Sequence, residues 1–239
     1  MKRFILLIVL IWSATGLSGN ELWQNAVDLY QRYGDLLPGR LLVEFTQYNG
    51  SGELISTEQS LVRLTIGPEG ETRSRIVWAR KDGEDITEER RDDPQGGSPF
   101  GGQPGDDDDD GGNAFSGLQK SPFDPAEQEN VEYTDTRRME RVEGVMARRF
   151  EFVHETDADA PNIGTAWLAV DSGMPVKLEL TLERLPLFVD SLIMRQYFGM
   201  DSQERWVSTA LEFSGIGQLL FFRREIESRL QFSDYFRAP

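Results

Sequence analysis

Residues 175–183 alternate without a break: Val176, Leu178, Leu180 and Leu182 fall on one side, and Lys177, Glu179, Thr181 and Glu183 on the other. In an extended chain successive side chains point to opposite faces, so this run predicts a strand with one dry and one wetted face. Such a strand needs hydrogen-bonding neighbours at its edges and an apolar cover for its dry face. The rest of the sequence supplies the neighbours. Leu41, Val43 and Phe45 alternate with Leu42, Glu44 and Thr46 before the turn Asn49-Gly50-Ser51-Gly52. Val62, Leu64 and Ile66 end at Gly67-Pro68-Glu69-Gly70, and Ser74–Arg80 follows with Ile76 and Trp78. Three strands joined by glycine-containing turns predict an antiparallel meander. Later, Arg148, Phe150 and Phe152 form another alternation, and Thr165–Val170 leads through Asp171-Ser172-Gly173 into the run at 175–183. Further strands are expected at 191–198, 205–213, 218–224 and 230–232. Leu185, Val189, Leu192, Ile193 and Tyr197 also fit a helix over 185–198, and no repeat of fixed period is present.

Helix is scarce. Trp23, Val27 and Tyr30 share a face across Asn20–Gly34, with Gly34 at the end, and predict one clear helix over 22–34. Ahead of it, residues 1–19 read as a cleavable secretory signal: Lys2 and Arg3, the apolar run Phe4–Trp12, then small residues from Ser13 to Gly19. The apolar run is about nine residues, where a spanning helix needs roughly 20. The alternative is a retained anchor. The mature chain is expected to hold no membrane span and to be one domain over 20–239, exported to the periplasm.

Segment 92–122 breaks the strand rhythm with paired glycines, prolines and the tract Asp106–Asp110. It offers too little apolar surface to offset its ordering entropy, and is expected to be a long disordered, mobile insertion, dispensable for folding. An inter-domain linker is the alternative. This stretch also carries much of the charge. The formal net charge is −16, or −18 once Lys2 and Arg3 leave with the signal, and Asp82–Gly112 holds twelve acidic against two basic residues. So acidic a chain lacks the basic surface of a nucleic-acid binder.

Little conventional chemistry fits. Without cysteine there is no disulfide, thiolate metal site or cysteine nucleophile, and the single histidine, His154, excludes a paired-histidine zinc motif. Asp106, Asp108, Asp110 and Gly111 match half of a calcium loop, but the twelfth position is Gly117 rather than glutamate. His154 beside Glu155 suggests a hydrolase triad only weakly, because no G-x-S-x-G elbow accompanies it. No catalytic residue, metal site or cofactor is assigned.

The stretch Gly164-Thr165-Ala166-Trp167-Leu168-Ala169-Val170-Asp171-Ser172-Gly173-Met174-Pro175-Val176-Lys177 resembles the "G-x-A-W-x-D, small turn, G-x-P-x-K" hairpin of the LolA/LolB-like outer-membrane lipoprotein-sorting and carrier proteins, which have RseB-type periplasmic sensors as relatives. Leu185-Pro186, Ser191–Phe198, Leu219–Arg224 and Phe232-Ser233-Asp234-Tyr235 are similar to that group's later strands and end. The resemblance covers about 75 residues well. It implies an α+β, mainly β fold: a strongly curved antiparallel half-barrel with helices against it and a cavity for acyl chains. It also favours strand over helix at 191–198. The long Gly/Asp insertion departs from the family pattern.

Together these readings predict a periplasmic, non-enzymatic carrier or chaperone that binds acyl chains of lipoproteins or lipids. Phe150, Phe152, Trp167, Val176, Leu178, Leu180 and Leu182 are expected to line the cavity. An envelope sensor that binds a partner protein, such as a membrane protein's exported segment, is the alternative, followed by a hydrolase.

Overall fold

The computed structural model describes residues 17–68, 71–92, 120–156, 160–185, 187–219 and 222–237, apart from the side chains of Leu219 and Phe222. Nearly all of the leader and of the 92–122 insertion, including Asp106–Asp110, lies outside these residues.

Helix α1 runs over Gly19–Tyr33. Its start is written in Ser18 and Glu21. The Glu21 amide donates to Ser18 Oγ and the Ser18 amide donates to Glu21 Oε2, so two orphan donors are satisfied reciprocally. Leu22, Trp23, Ala26 and Val27 form its buried stripe. The packed domain therefore begins before Asn20. Leu17 packs on the core, Arg148 donates to its carbonyl, and a side chain at Gly19 would collide with Asp135.

The strands are β1 (Leu36–Leu37), β2 (Arg40–Asn49), β3 (Leu54–Ile66), β4 (Thr72–Lys81), β5 (Glu84–Asp85), β6 (Val131–Val142), β7 (Val145–His154), β8 (Asn162–Ala169), β9 (Pro175–Leu182), β10 (Val189–Met200), β11 (Trp206–Leu219), β12 (Phe222–Ser233) and β13 (Phe236–Arg237). A short helix α2 spans Thr87–Asp92, and a 3-10 turn spans Pro125–Asn130. Eleven strands form one antiparallel sheet in the order β5-β4-β3-β2-β12-β11-β10-β9-β8-β7-β6, and β1 pairs with β13 beside it. The sheet is curved but not closed, since β6 and the β4–β5 hairpin both remain edges.

Segment 189–200 is strand, as the resemblance favoured, because β9 and β11 hydrogen-bond it on both sides. Two elements differ from the sequence reading. The strand expected at 218–224 is divided between two: β11 ends at Leu219, and β12 runs from Phe222 to Ser233, absorbing the strand expected at 230–232. Strand β6 was not anticipated. Its sequence, VEYTDTRRMERV, is too polar to show a clean alternation, and a register shift between Asp135 and Met139, with Arg137 at φ 59°, breaks the period.

Directly opposed residues share a face, so the ladder registers fix two faces across the whole sheet. One row runs Tyr133, Phe152, Gly164, Leu180, Met194, Phe213, Ser228, Phe45, Glu58 and Lys81, from β6 to β4. The adjacent row on the same face runs Asp135, Phe150, Ala166, Leu178, Gln196, Leu211, Leu230, Val43, Ser60 and Ala79. Helix α1 lies on this face. Gly164 is required in the first row, because a Cβ there would meet the Phe152 ring and the Glu179 carbonyl oxygen.

An apolar floor between two helices as the candidate functional site

Over β6–β10 the helix-bearing face is closed by the protein itself. Trp23 stacks on Tyr133 at 4.2 Å between ring centroids and lies 5.1 Å from Phe123 and 5.8 Å from Phe150. Its indole N–H donates to Gln128 on the 3-10 turn, whose side-chain amide in turn donates to the Pro122 carbonyl. Five residues expected to line a cavity, Phe150, Phe152, Leu178, Leu180 and Leu182, join one buried cluster with α1 and Phe123. Leu178 and Leu180 are 1% and 2% exposed.

The other two expected lining residues lie elsewhere. Trp167 opposes Arg149 and Lys177 on the face away from α1. Its N–H donates to Glu140, and the Lys177 ammonium sits 4.8 Å from its ring centroid. Val176 packs with Ala147 and Ala169, the partly buried Trp167 lying against them. A register shift between Trp167 and Leu168 separates this end of β8–β9 from the regular rows. The shift leaves Val176 as the extra residue on β9, whereas Trp167 faces away from α1 by plain alternation, since Ala166 opposes Phe150 and Trp167 opposes Arg149.

Past β10 the same face continues, with α1 still in contact with β11. Leu211 and Phe213 still touch the buried cluster. Beyond them come Ile226, Leu230 and Phe232 on β12, Leu41, Val43 and Phe45 on β2, and Val62 and Leu64 on β3, all half-buried. Phe45 and Val43 occupy the two rows described above, and Leu41 opposes Phe232 and Val62. The far boundary is α2. Thr87 Oγ1 accepts from the Ala79 amide, and Arg90 makes a bidentate ion pair with Glu58. The result is an open apolar floor four strands wide between two helices, roughly 14 Å across at the usual strand spacing. Ser228 interrupts it: 4% exposed, opposed by Phe45 and Phe213, its hydroxyl has no hydrogen-bond partner.

The opposite face is polar and paired. It holds a shallow cleft of about 410 Å³ lined by Arg149, Glu151, Ile163, Thr165, Glu179 and Thr181. Burial raises the Glu179 carboxyl, and hydrogen bonds from Arg195 and Lys177 more than reverse this, leaving it below the ordinary range. Burial and the neighbouring Glu212 push the Tyr197 hydroxyl up to about 12. A second cleft of about 440 Å³ lies around Val77, Trp78 and α2.

His154 is fully buried at the end of β7. Its Nε2 lies 3.3 Å from Glu127 Oε2 and its Nδ1 has no partner. Glu127 also binds Lys120, so the pair fastens the 3-10 turn to the sheet and exposes no reactive atom. Among the described residues no three His, Asp or Glu side chains converge on a point that would hold a metal ion, and no described helix is long and apolar enough to cross a membrane.

No family model and no curated protein matches the chain. Among solved structures it is similar to a putative outer membrane lipoprotein-sorting protein domain from Vibrio parahaemolyticus, at 11% identity and a TM-score of 0.41 over 90% of this chain and 92% of that one. A LolA superfamily protein from Nitrosomonas europaea follows at 11% identity and 0.40, covering 93% and 94%. The MucA/MucB complex of Pseudomonas aeruginosa gives 12% identity and 0.23, covering 90% and 99%. At these scores the likenesses bear on neither ligand nor partner.

Proposed function

We propose that the protein is a periplasmic, non-enzymatic carrier that holds an acyl chain of a lipoprotein or lipid on the floor between α1 and α2. One observation carries this reading. The face that α1 seals over β6–β10 still carries half-buried aliphatic and aromatic side chains over β11, β12 and β2, and at Val62 and Leu64 on β3, with Ser228, Glu58 and Ser60 interrupting the two rows. Burying each methylene there contributes about 0.8 kcal/mol, so a long chain supplies its own affinity without a cofactor. Phe150, Phe152, Leu178, Leu180 and Leu182 serve by seating α1 as one wall. Contact with the ligand falls to Leu41, Val43, Phe45, Phe213, Ile226 and Leu230. The resemblance of Gly164–Lys177 to the lipoprotein-carrier hairpin supports the same reading.

Native mass spectrometry of the protein, purified without detergent and then extracted with solvent, tests the proposal. A stoichiometric acyl adduct is expected, and Val43→Asp is expected to lose it while keeping a cooperative melt. A clean mass that does not change after incubation with fatty acids or diacyl lipid overturns it.

A partner-binding role has its own supporting observation. Arg91 donates to the Ile76 and Val77 carbonyls and so blunts the β4 edge, whereas β6 carries no such cover among the described residues and is a ready site for an added strand.

A further inference from the structure

The leader at the start of the chain offers three places to be cut. Export peptidases require small side chains one and three residues before the bond they cleave. Ala14 and Gly16 meet that requirement for the Gly16–Leu17 bond, and Gly16 and Ser18 meet it for Ser18–Gly19. For Gly19–Asn20 a leucine, Leu17, stands where a small residue belongs. The residue pattern disfavours the third bond and does not choose between the first two. The folded domain does.

The peptide unit joining Leu17 to Ser18 is held from both sides. Its carbonyl oxygen accepts from Arg148 Nη1 at 3.4 Å, and its N–H donates to Glu21 Oε2 at 2.6 Å. Arg148 is itself fixed, its Nε donating to Asp135 Oδ1 at 2.8 Å with both side chains largely buried. Ser18 then starts α1: its Oγ accepts from the Glu21 amide at 3.3 Å, and its carbonyl takes the first helical bond, from the Leu22 amide at 3.0 Å. The hydrogen bond from the Ser18 amide is the main reason that the Glu21 carboxyl lies below its ordinary value. The Leu17 side chain packs on the buried cluster around Trp23. Gly19 is buried against Asp135, where any side chain would collide.

A cut at Ser18–Gly19 would remove all of this but Gly19 in one step. The Glu21 and Leu22 amides would lose their acceptors, Arg148 Nη1 would lose the Leu17 carbonyl, and the core would lose a side chain. A cut at Gly19–Asn20 would take the first residue of α1 as well. The Gly16–Leu17 bond is the one candidate whose cleavage leaves every contact in place. A capping box and a glycine fitted to a buried Asp–Arg pair have no use in a segment that is discarded. They belong to the finished chain.

We infer that the leader is removed between Gly16 and Leu17 by a membrane-bound peptidase that reads Ala14 and Gly16, so that the mature protein begins at Leu17. Water adds across the Gly16–Leu17 amide; the leader departs with a carboxylate on Gly16, and Leu17 gains a free α-amino group. This cut depends on the leader reading of residues 1–16 and not on what the apolar floor holds.

The experiment expresses the full chain in a two-membrane bacterium and reads the product by N-terminal sequencing and intact mass. The sequence Leu-Ser-Gly-Asn-Glu is expected at the start of the exported protein. Gly16→Asn places a side chain too large for the residue before the cut and is expected to abolish that product. Ser18→Asn would block a cut at Ser18–Gly19 in the same way but keeps a capping side chain, and is expected to leave the Leu17 start and its yield unchanged. Purified chains made to begin at Leu17 and at Asn20 test the packing separately, the shorter one being expected to melt about 3 °C lower or more. A wild-type product beginning at Gly19 or Asn20, a chain that keeps residues 1–16, a Leu17 product that survives Gly16→Asn, or equal melting of the two purified chains overturns the proposal. None of these readouts involves a bound acyl chain, so failure here and failure of the carrier reading are told apart.

Discussion

The two halves of the helix-bearing face use the same rows of the same sheet for different ends. Over β6–β10, α1 and Phe123 fill the face with aromatic rings, and the strand residues become core. Further along, α1 touches β11 and α2 binds Glu58 on β3, and between them Leu230, Val43 and Phe45 stay half-buried. Apolar alternation therefore marks a dry face, and the element packed against it decides whether that face is core or binding surface.

The comparison breaks first if both halves respond alike to a charge. Leu180→Asp buries a carboxylate at a site 2% exposed, with no cation opposite it, and is expected to abolish the folded state in a thermal melt. Val43→Asp, in the adjacent row but on the floor, is expected to melt cooperatively. Loss of folding in both variants would mean that the floor is core as well. Next comes Phe150→Ala, which leaves a void beneath Trp23 and is expected to cost about 3–5 kcal/mol in urea denaturation. Phe45→Ala, half-buried on the floor, is expected to cost less than half of that.

Smaller effects sharpen the contrast at the wall. Ser18→Ala removes one arm of the α1 cap, with an expected loss of about 1 kcal/mol that Ser18→Asn restores. Glu127 gives a pH signature. Its carboxyl is held below the ordinary 4.5, first by the Lys120 hydrogen bond and then by Asn130 and His154, against an opposing contribution from burial. A depressed folded-state value adds stability above the unfolded value. That contribution is lost as pH falls below about 4.5, and Glu127→Gln is expected to flatten this part of the acid profile. Last, Ser228→Ala removes a buried hydroxyl without a partner and is expected to leave stability unchanged or raise it by up to about 1 kcal/mol.

Much of this architecture was legible in the sequence. The alternation at 175–183, the glycine turns and the helix near 22–34 gave a curved antiparallel sheet with a helix against it, as observed. The faces of individual residues were less legible where the ladder slips. Val176 sits at a register shift that sequence period cannot reveal, and β6 hides its strand behind arginines and a shift of its own. The candidate site was less legible still. Leu41, Val43 and Phe45 show the same alternation as Leu178, Leu180 and Leu182. What separates wall from floor is α1, whose Trp23 packs on Tyr133, Phe150 and Phe152 of β6 and β7.

The sheet is also sewn together in an order that bears on how the chain reaches its final state. Strands β2–β5 form one local meander and β6–β12 another, and their only bond within the eleven-stranded sheet is the ladder between β2 and β12, residues more than 170 positions apart. The outer pair β1–β13 closes at the same late moment. A chain emerging from its N-terminus thus makes two unjoined half-sheets, and the floor, which straddles the seam, forms only when β12 pairs with β2. Pairing this distant predicts slow folding relative to a sheet of nearest neighbours.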